Sequence, residues 1–113
     1  MKQVDSIDLA ELKEMSTKMY AKIVKAVVDL DKELLVVDAD MHVDEEQFLL
    51  ENNSKQKDLW GINLKPDEFG TDAFVEFDSM INLRPRQNNT TRGVQDPEIR
   101  KQIIKLVKTK VKA

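Results

Sequence analysis

The amino-acid sequence predicts an α+β fold, built on a mostly antiparallel sheet of about four strands. Helix-capping patterns stand near both ends of the chain, and runs rich in β-branched residues lie between them. Short connections favour antiparallel neighbours. We expect the N- and C-terminal helices, the two longer ones, to pack on one face of the sheet. A length of 113 residues predicts a single domain over residues 1–113.

The first helix is predicted to run from Leu9 to about Tyr20. Asp8 and Glu11 have the spacing of a capping box, in which an N-cap carboxylate is followed three residues later by a glutamate. Apolar residues then recur at helical intervals, which indicates one buried face.

The middle of the chain predicts three strands and one short helix. Residues 22–30 and 34–39 are rich in β-branched residues and are separated by a brief polar turn, so they predict a hairpin. Asp44 begins a second capping-box pattern, which predicts a helix through about Glu51. Residues 58–64 alternate between apolar and other residues and predict the next strand.

The last third of the chain predicts one long strand and the C-terminal helix. Residues 74–83 alternate strongly enough to predict the fourth strand. Asp96 before Pro97 is typical of a helix start, and an apolar stripe with lysines on its opposite side follows. We expect the second face of the sheet to be wet or to contact a partner, because it carries Asp29, Glu76, Asp78 and Asn82.

The composition excludes several classes of function. The chain has no cysteine, which rules out disulfides, thiol catalysis and cysteine-ligated zinc, and which suits a reducing compartment. The first residues lack an apolar signal core, and the longest aliphatic run, residues 34–37, is too short to span a bilayer. We therefore expect a cytoplasmic protein that does not enter membranes.

Charge is distributed unevenly along the chain. Residues 1–78 hold nine lysines and 19 acids, a net charge of −10, whereas residues 79–113 hold nine basic and two acidic residues, a net charge of +7. This asymmetry predicts either a dipolar surface that attracts anions at one end or two halves that attract each other.

Three segments resemble a known family. They are LLENNSKQKDLWGIN at residues 49–63, FDSMINLRP at residues 77–85 and RGVQDP at residues 92–97. Over roughly residues 20–110, the chain resembles a family of small uncharacterised prokaryotic proteins of about a hundred residues, filed as a domain of unknown function. The resemblance implies a compact intracellular α+β protein and no assigned activity, cofactor or catalytic residue.

All the arginines of the chain lie between residues 84 and 100, although lysine supplies positive charge elsewhere. Arginine is suited to planar recognition of phosphates and carboxylates through several donors. A loop between a strand end and a helix start could also offer main-chain donors to an anion. The predicted ligand-binding residues are Arg84, Arg86, Gln87, Asn88, Asn89, Thr91, Arg92 and Arg100.

Other features weigh against a tight phosphate site in this loop. Asp96 would place a carboxylate at the helix start, and Pro97 removes one N–H donor. Phosphate-binding loops are rich in glycine, whereas this one contains only Gly93. The alternative is structural: Arg84 and Arg86 pair with acids such as Asp78 or Glu76, and the loop is merely solvated.

His42 is the only histidine and stands among acidic residues. On an extended strand, Asp40, His42 and Asp44 would share one side and could hold a divalent cation, so they are weak candidates for a metal site. Ordinary surface chemistry with helix capping explains the same residues, and we predict no metal and no cofactor. His42 would be the simplest general base if the protein were an enzyme.

The sequence favours a non-enzymatic binding or interaction module that uses the arginine-rich loop, residues 84–95, for an anionic ligand or a protein partner. One alternative is a small hydrolase or phosphotransfer-type enzyme that uses His42 with carboxylates. Another is a structural protein that forms homo-oligomers, such as a homodimer. Nucleic acid is a weaker expectation, because the pI is near 5.2 and basic residues are not interleaved with aromatic ones.

Overall fold

A computed structural model describes residues 1–18 and 22–113 and has an α+β architecture, as predicted. Its helices are α1 (Leu9–Ser16), α2 (His42–Glu51) and α3 (Pro97–Lys110). Its strands are β1 (Lys2–Val4), β2 (Ile7–Asp8), β3 (Val24–Asp29), β4 (Leu34–Val37), β5 (Leu59–Leu64), β6 (Val75–Glu76) and β7 (Val111–Lys112). Short 3-10 turns lie at Gln56–Asp58, Pro66–Glu68, Met80–Asn82 and Pro85–Gln87.

The main sheet has the strand order β1-β4-β3-β5-β6, and each neighbouring pair is antiparallel. The predicted hairpin of β3 and β4 is confirmed, with Ala26 opposite Val37 and Asp29 opposite Leu34. β3 lies at the centre, and its Val27 and Val28 are both fully buried although they point to opposite faces. Layers of structure therefore cover both faces of the sheet.

The sheet has one strand more than predicted, because β1 pairs with β4 at its edge. Three residues are too short a segment to display alternation in the sequence. A second, two-stranded parallel ribbon joins β2 to β7, with Ile7 opposite Val111. The ribbon ties the segment before α1 to the segment after α3, and non-local pairing of this kind leaves little local pattern.

The first face of the sheet packs against the terminal helices α1 and α3, as predicted. They are not the two longer helices, because α2 has ten residues and α1 has eight. Both N-caps are confirmed: a carboxylate oxygen of Asp8 accepts the Glu11 N–H at 2.8 Å, and one of Asp96 accepts the Glu98 N–H at 2.8 Å. α1 ends at Ser16. The predicted end at Tyr20 lies outside the described residues. The helices contribute to the core the buried residues Leu12, Met15, Ile103, Leu106 and Val107.

The second face of the sheet is covered by α2, so the expectation of a wet face is wrong. Leu49 of α2 packs in a buried cluster with the sheet residues Val27, Val36 and Leu59. Asp29, expected at the surface, is fully buried, and its carboxylate accepts the Ser54 hydroxyl at 2.6 Å and two main-chain N–H groups of the next turn. Its hydrogen bonds make burial of this carboxylate tolerable.

Two further boundaries differ from the prediction. α2 begins at His42 after Met41, so Asp44 is an exposed residue within the helix rather than its cap. The predicted strand 74–83 is strand only at Val75–Glu76 and then turns away from the sheet. Alternating apolar residues also occur in a segment that bonds to the neighbouring strand through its side chains rather than its main chain. The pattern alone therefore does not identify a strand.

We predict that Gly61→Ala lowers the free energy of unfolding by about 1–3 kcal/mol, because it overpacks a filled space. A Cβ atom at Gly61 would lie 2.6 Å from both the Cβ and the Oγ of Ser79 and 3.0 Å from Ile81. Urea denaturation followed by circular dichroism measures the loss.

The control is the double variant Gly61→Ala/Ser79→Gly, compared with Ser79→Gly alone. Removal of the Ser79 side chain eliminates the two shortest clashes, so adding the methyl group should then cost clearly less. An equal cost in both backgrounds would contradict the packing explanation.

Candidate functional site

Residues 77–95 lie along the edge of β5 that faces away from β3. β6 pairs with this edge only at Asn63 and Leu64, so the main-chain groups of Gly61 need another partner. The fully buried Asn82 supplies one: its Oδ1 accepts the Gly61 N–H at 2.8 Å, and its Nδ2 donates to the Gly61 carbonyl at 2.9 Å. One side-chain amide therefore takes the place of a neighbouring strand.

Arg84 also hydrogen-bonds to this edge of β5, so its side chain does not point into solvent. Its side chain donates to the main-chain carbonyls of Gln56 and Leu59, and its guanidinium lies 4.2 Å from the centroid of a Trp60 ring. Burial lowers the pKa of Arg84, and the nearby carboxylates of Glu46 and Asp58 oppose that effect. Two hydrogen-bond acceptors and an aromatic face thus hold this predicted ligand-binding cation inside the protein.

The asparagines of the loop also have structural roles. Asn88 adopts the left-handed conformation, with φ 60°, that ends the turn at residues 85–87. Asn89 is 3% exposed, and its side-chain amide donates to the carbonyls of Asn82 and Gly93 at 2.7 and 2.8 Å. The Thr91 hydroxyl accepts the Gly93 N–H at 3.2 Å. These predicted ligand donors are used to fix the shape of the loop.

The remaining arginines have separate partners. Arg92 donates from its Nε to an Asp78 carboxylate oxygen at 2.7 Å, and both side chains are about half exposed. Arg100 donates to the Val94 carbonyl at 2.6 Å. Arg86 is exposed and forms no ion pair within the described part of the chain. The arginines therefore do not converge on one binding site, because Arg84, Arg92 and Arg100 have separate partners and Arg86 is exposed.

Arg86 belongs to a basic ridge that two adjacent 3-10 turns create. The Gln87 side chain donates to the Lys57 carbonyl at 3.1 Å, which holds the turn at residues 85–87 beside the turn at residues 56–58. Lys55 and Lys57 are exposed. Of these three residues, only Lys57 forms an ion pair within the described ranges, with Asp58 at 3.6 Å. We call Lys55, Lys57 and Arg86 the basic ridge.

Several apolar side chains are exposed on α2 and on the turn that precedes Arg84. Met80 is 62% exposed and Leu83 is 38% exposed, and Leu83 directly precedes Arg84. α2 contacts the turn that contains Met80. Val43 and Leu50, which are 46% and 37% exposed, are seven residues apart on α2 and so share one side of that helix. We call Val43, Leu50, Met80 and Leu83 the apolar patch.

The sequence analysis missed both surfaces for identifiable reasons. It assigned Leu83 to the inward side of a strand, whereas the chain turns after Glu76 and leaves that side chain at the surface. The lysines at 55 and 57 lay inside a segment considered only for its resemblance to a family. Lysines that alternate with a polar residue after a helix end were the available signal.

The weak metal candidates do not meet in space. His42 faces the sheet, where its Nε2 donates to the Ile62 carbonyl at 2.7 Å, and burial lowers its pKa. Asp40 and Asp44 are exposed. Over residues 1–18 and 22–113, no group of three histidine, aspartate or glutamate side chains is placed to hold a metal ion. His42 is thus buried and hydrogen-bonded to the main chain of β5.

Glu45 is the most perturbed ionisable group in the described residues. It is fully buried beside His42 on the inner side of α2, and neither carboxyl oxygen has a hydrogen-bond partner among those residues. Burial raises the pKa of Glu45 to about 10, against a smaller opposing effect of the Ala39 main chain. The side chain is therefore a neutral acid near pH 7.

We predict that Arg84→Met lowers the free energy of unfolding by about 2–4 kcal/mol, because two inward carbonyls lose their donor and Trp60 loses its cation. The matched variant is Arg86→Met, which removes an exposed guanidinium two residues away and should change stability by less than about 0.5 kcal/mol. Urea midpoints measure both values. Similar losses in the two variants would contradict the buried role of Arg84.

We also predict that Glu45→Gln removes part of the pH dependence of stability. The folded pKa of about 10 exceeds the ordinary value of 4.5, so the native state holds a proton that the unfolded state releases as the pH rises. Native stability therefore falls between these two values. Relative to wild type, the variant should gain more than about 1 kcal/mol between roughly pH 5 and pH 9.

The control for this pH series is Glu51→Gln, which alters an exposed carboxylate on the same helix. Its stability relative to wild type should stay constant across the series, as measured by chemical denaturation at each pH. A constant difference for Glu45→Gln as well would show that the buried carboxyl does not titrate differently in the two states.

No helix in the described ranges has the length and apolar character needed to cross a bilayer. No curated protein and no solved structure is significantly similar to the chain. The profile of one family, described as a protein of unknown function (DUF5674), matches residues 3–110. The match confirms the predicted resemblance to a family of unknown function and extends it from about residue 20 to β1, and the chain is therefore a member of the DUF5674 family.

Proposed function

We propose that the protein is a non-enzymatic interaction module that binds an acidic amphipathic segment of a partner protein. The apolar patch would receive large apolar side chains of that segment, and the basic ridge would pair with its carboxylates. The absence of cysteine suits a reducing compartment, so we place the interaction in the cytoplasm.

The observation that carries this proposal is the exposure of the apolar patch. Its four large side chains are between 37% and 62% exposed, although 22 apolar residues in the described ranges are buried in the core. A contiguous exposed apolar surface bounded by polar residues is typical of an interaction site. Met80 and Leu83 stand on a short turn held by Asn82 and Arg84, so the surface is formed before a partner binds.

The positive charges of the basic ridge favour an acidic partner. The basic ridge supplies two lysines and one arginine, whereas the acid nearest the patch on α2, Glu46, lies one turn from Val43 and Leu50 and is largely buried. Arg86 forms no ion pair inside the described structure, so it can form one with a partner's carboxylate without breaking an existing contact. Rim charges of this kind steer association and select against basic partners. The predicted anionic partner is therefore retained in the proposal with Arg86 as its contact, whereas Arg84 has a structural role.

The experiment is selection from a random peptide library displayed on phage, with the purified protein immobilised. Enriched peptides should combine aspartate or glutamate with leucine, phenylalanine or tryptophan. In fluorescence anisotropy with the best peptide, Arg86→Glu and Met80→Asp should each weaken binding by about tenfold or more, which corresponds to about 1.4 kcal/mol.

The matched controls are Lys13→Glu, the same charge reversal at an exposed position on α1, and Met41→Asp, a similarly exposed methionine outside the patch. Both should bind like wild type. Enriched peptides that bind Arg86→Glu and Met80→Asp as tightly as wild type would overturn the proposal. Light scattering that detects a dimer of wild type but not of Met80→Asp would instead assign the patch to self-association.

A further inference from the structure

A separate cavity lies on the other side of the molecule, between the loop at residues 69–75 and α3. Its volume is about 330 Å³, at the lower end of the range for small-molecule sites. Phe74, Val75 and Ile104 form its apolar wall. The cavity is therefore large enough for one aromatic ring system with a short attached group.

An aromatic side chain stands at the mouth of this cavity. Phe69 packs edge to face on the buried Phe74, with ring centroids 5.1 Å apart and an angle of 86° between the planes. Phe69 is still 37% exposed. The contact with Phe74 holds its ring in place, so a flat ligand could stack on it with little loss of side-chain entropy.

A row of lysines leads away from the cavity along α3. Lys108 lines the cavity and also an adjoining concavity of about 390 Å³, which Lys101 and Lys105 share. Because these lysines are four and three residues apart, they lie on one side of the helix and extend over roughly 10 Å. Lys105 and Lys108 form no ion pair in the described parts of the chain, and Lys101 has only Glu98 at 4.0 Å.

A hydrogen-bond acceptor completes the cavity. Asp72 lines it and is exposed, and its carboxylate is not in an ion pair within the described ranges. A carboxylate accepts hydrogen bonds from amino and imino groups. The cavity thus combines an aromatic face, an acceptor at its rim and several cations arranged in one direction.

We propose that this surface binds a nucleotide, with the base in the cavity against Phe69 and a chain of two or three phosphates along Lys108, Lys105 and Lys101. Aromatic stacking accounts for the exposed ring, and the flexible lysines supply positive charge for the phosphates. Asp72 accepts from an N–H group on the edge of the base. The site is distinct from the apolar patch, which lies on the other face of the sheet with α2.

Isothermal titration calorimetry with ATP, GTP, AMP and inorganic tripolyphosphate tests the proposal on the full chain at low salt. At least one triphosphate should bind saturably, and about tenfold more tightly than the matching monophosphate, because each added phosphate meets another lysine. Tripolyphosphate without a base should bind more weakly than the nucleotide.

Variants separate the two parts of the site. Phe69→Ala should weaken the nucleotide by about tenfold and leave tripolyphosphate unchanged, because only the base touches the ring. Lys105→Gln/Lys108→Gln should weaken both, whereas Lys13→Gln, which removes an exposed lysine on α1, should weaken neither. All changed positions are exposed, and an unaltered melting temperature confirms that the variants fold.

Three results would overturn the inference. They are no saturable binding at millimolar nucleotide, equal affinity for the nucleotide and tripolyphosphate, and nucleotide binding that Phe69→Ala leaves intact. A single-stranded oligonucleotide that binds far more tightly than any mononucleotide would also overturn it and would assign the lysine row to nucleic acid.

Discussion

The structure depends on how the outer edge of β5 is closed. Main-chain groups at Leu59, Gly61 and Asn63 point to this edge, and β6 reaches only the last of them. The side chains of Arg84 and Asn82 provide the other hydrogen bonds. Because a buried main-chain group without a partner costs about 1–3 kcal/mol, residues 77–95 must keep one conformation to satisfy several such groups at once.

This closure decides what remains at the surface. The turn that directs Asn82 inward directs Met80 outward, and the turn that follows Arg84 leaves Arg86 in solvent. The arginines that cluster in the sequence therefore have separate roles in the structure, since Arg92 pairs with Asp78 and Arg100 donates to the Val94 carbonyl. Arg84 replaces a strand, because a guanidinium can donate to two carbonyls and cover Trp60 at the same time, whereas Arg86 is available to a partner.

The sequence predicted the parts of the fold that local chemistry determines. Asp8 and Asp96 cap their helices within three residues, and β3 and β4 form a hairpin across a short turn, so each element carries its own pattern. α2 was predicted to begin too late, because its inner side carries His42 and two glutamates in place of apolar residues. The prediction of a strand over residues 74–83 was wrong beyond Glu76. The apolar alternation continues there, but side chains such as Asn82, rather than the main chain, form the hydrogen bonds to β5. Nothing in a single sequence distinguishes these two cases.

The charge asymmetry of the chain has a consequence for how its surfaces can act. Within residues 79–113, Arg86 lies on the turn beside residues 56–58, and four lysines lie on α3, which packs on the opposite face of the sheet from α2. The apolar neighbours differ as well: flexible Met80 and Leu83 suit aliphatic side chains, whereas the fixed ring of Phe69 suits a planar group. Under the two proposals above, a peptide and a nucleotide would therefore occupy separate surfaces. Their surfaces meet different faces of β3, which is buried on both sides, so occupation of one surface could influence the other only through the packing of that strand.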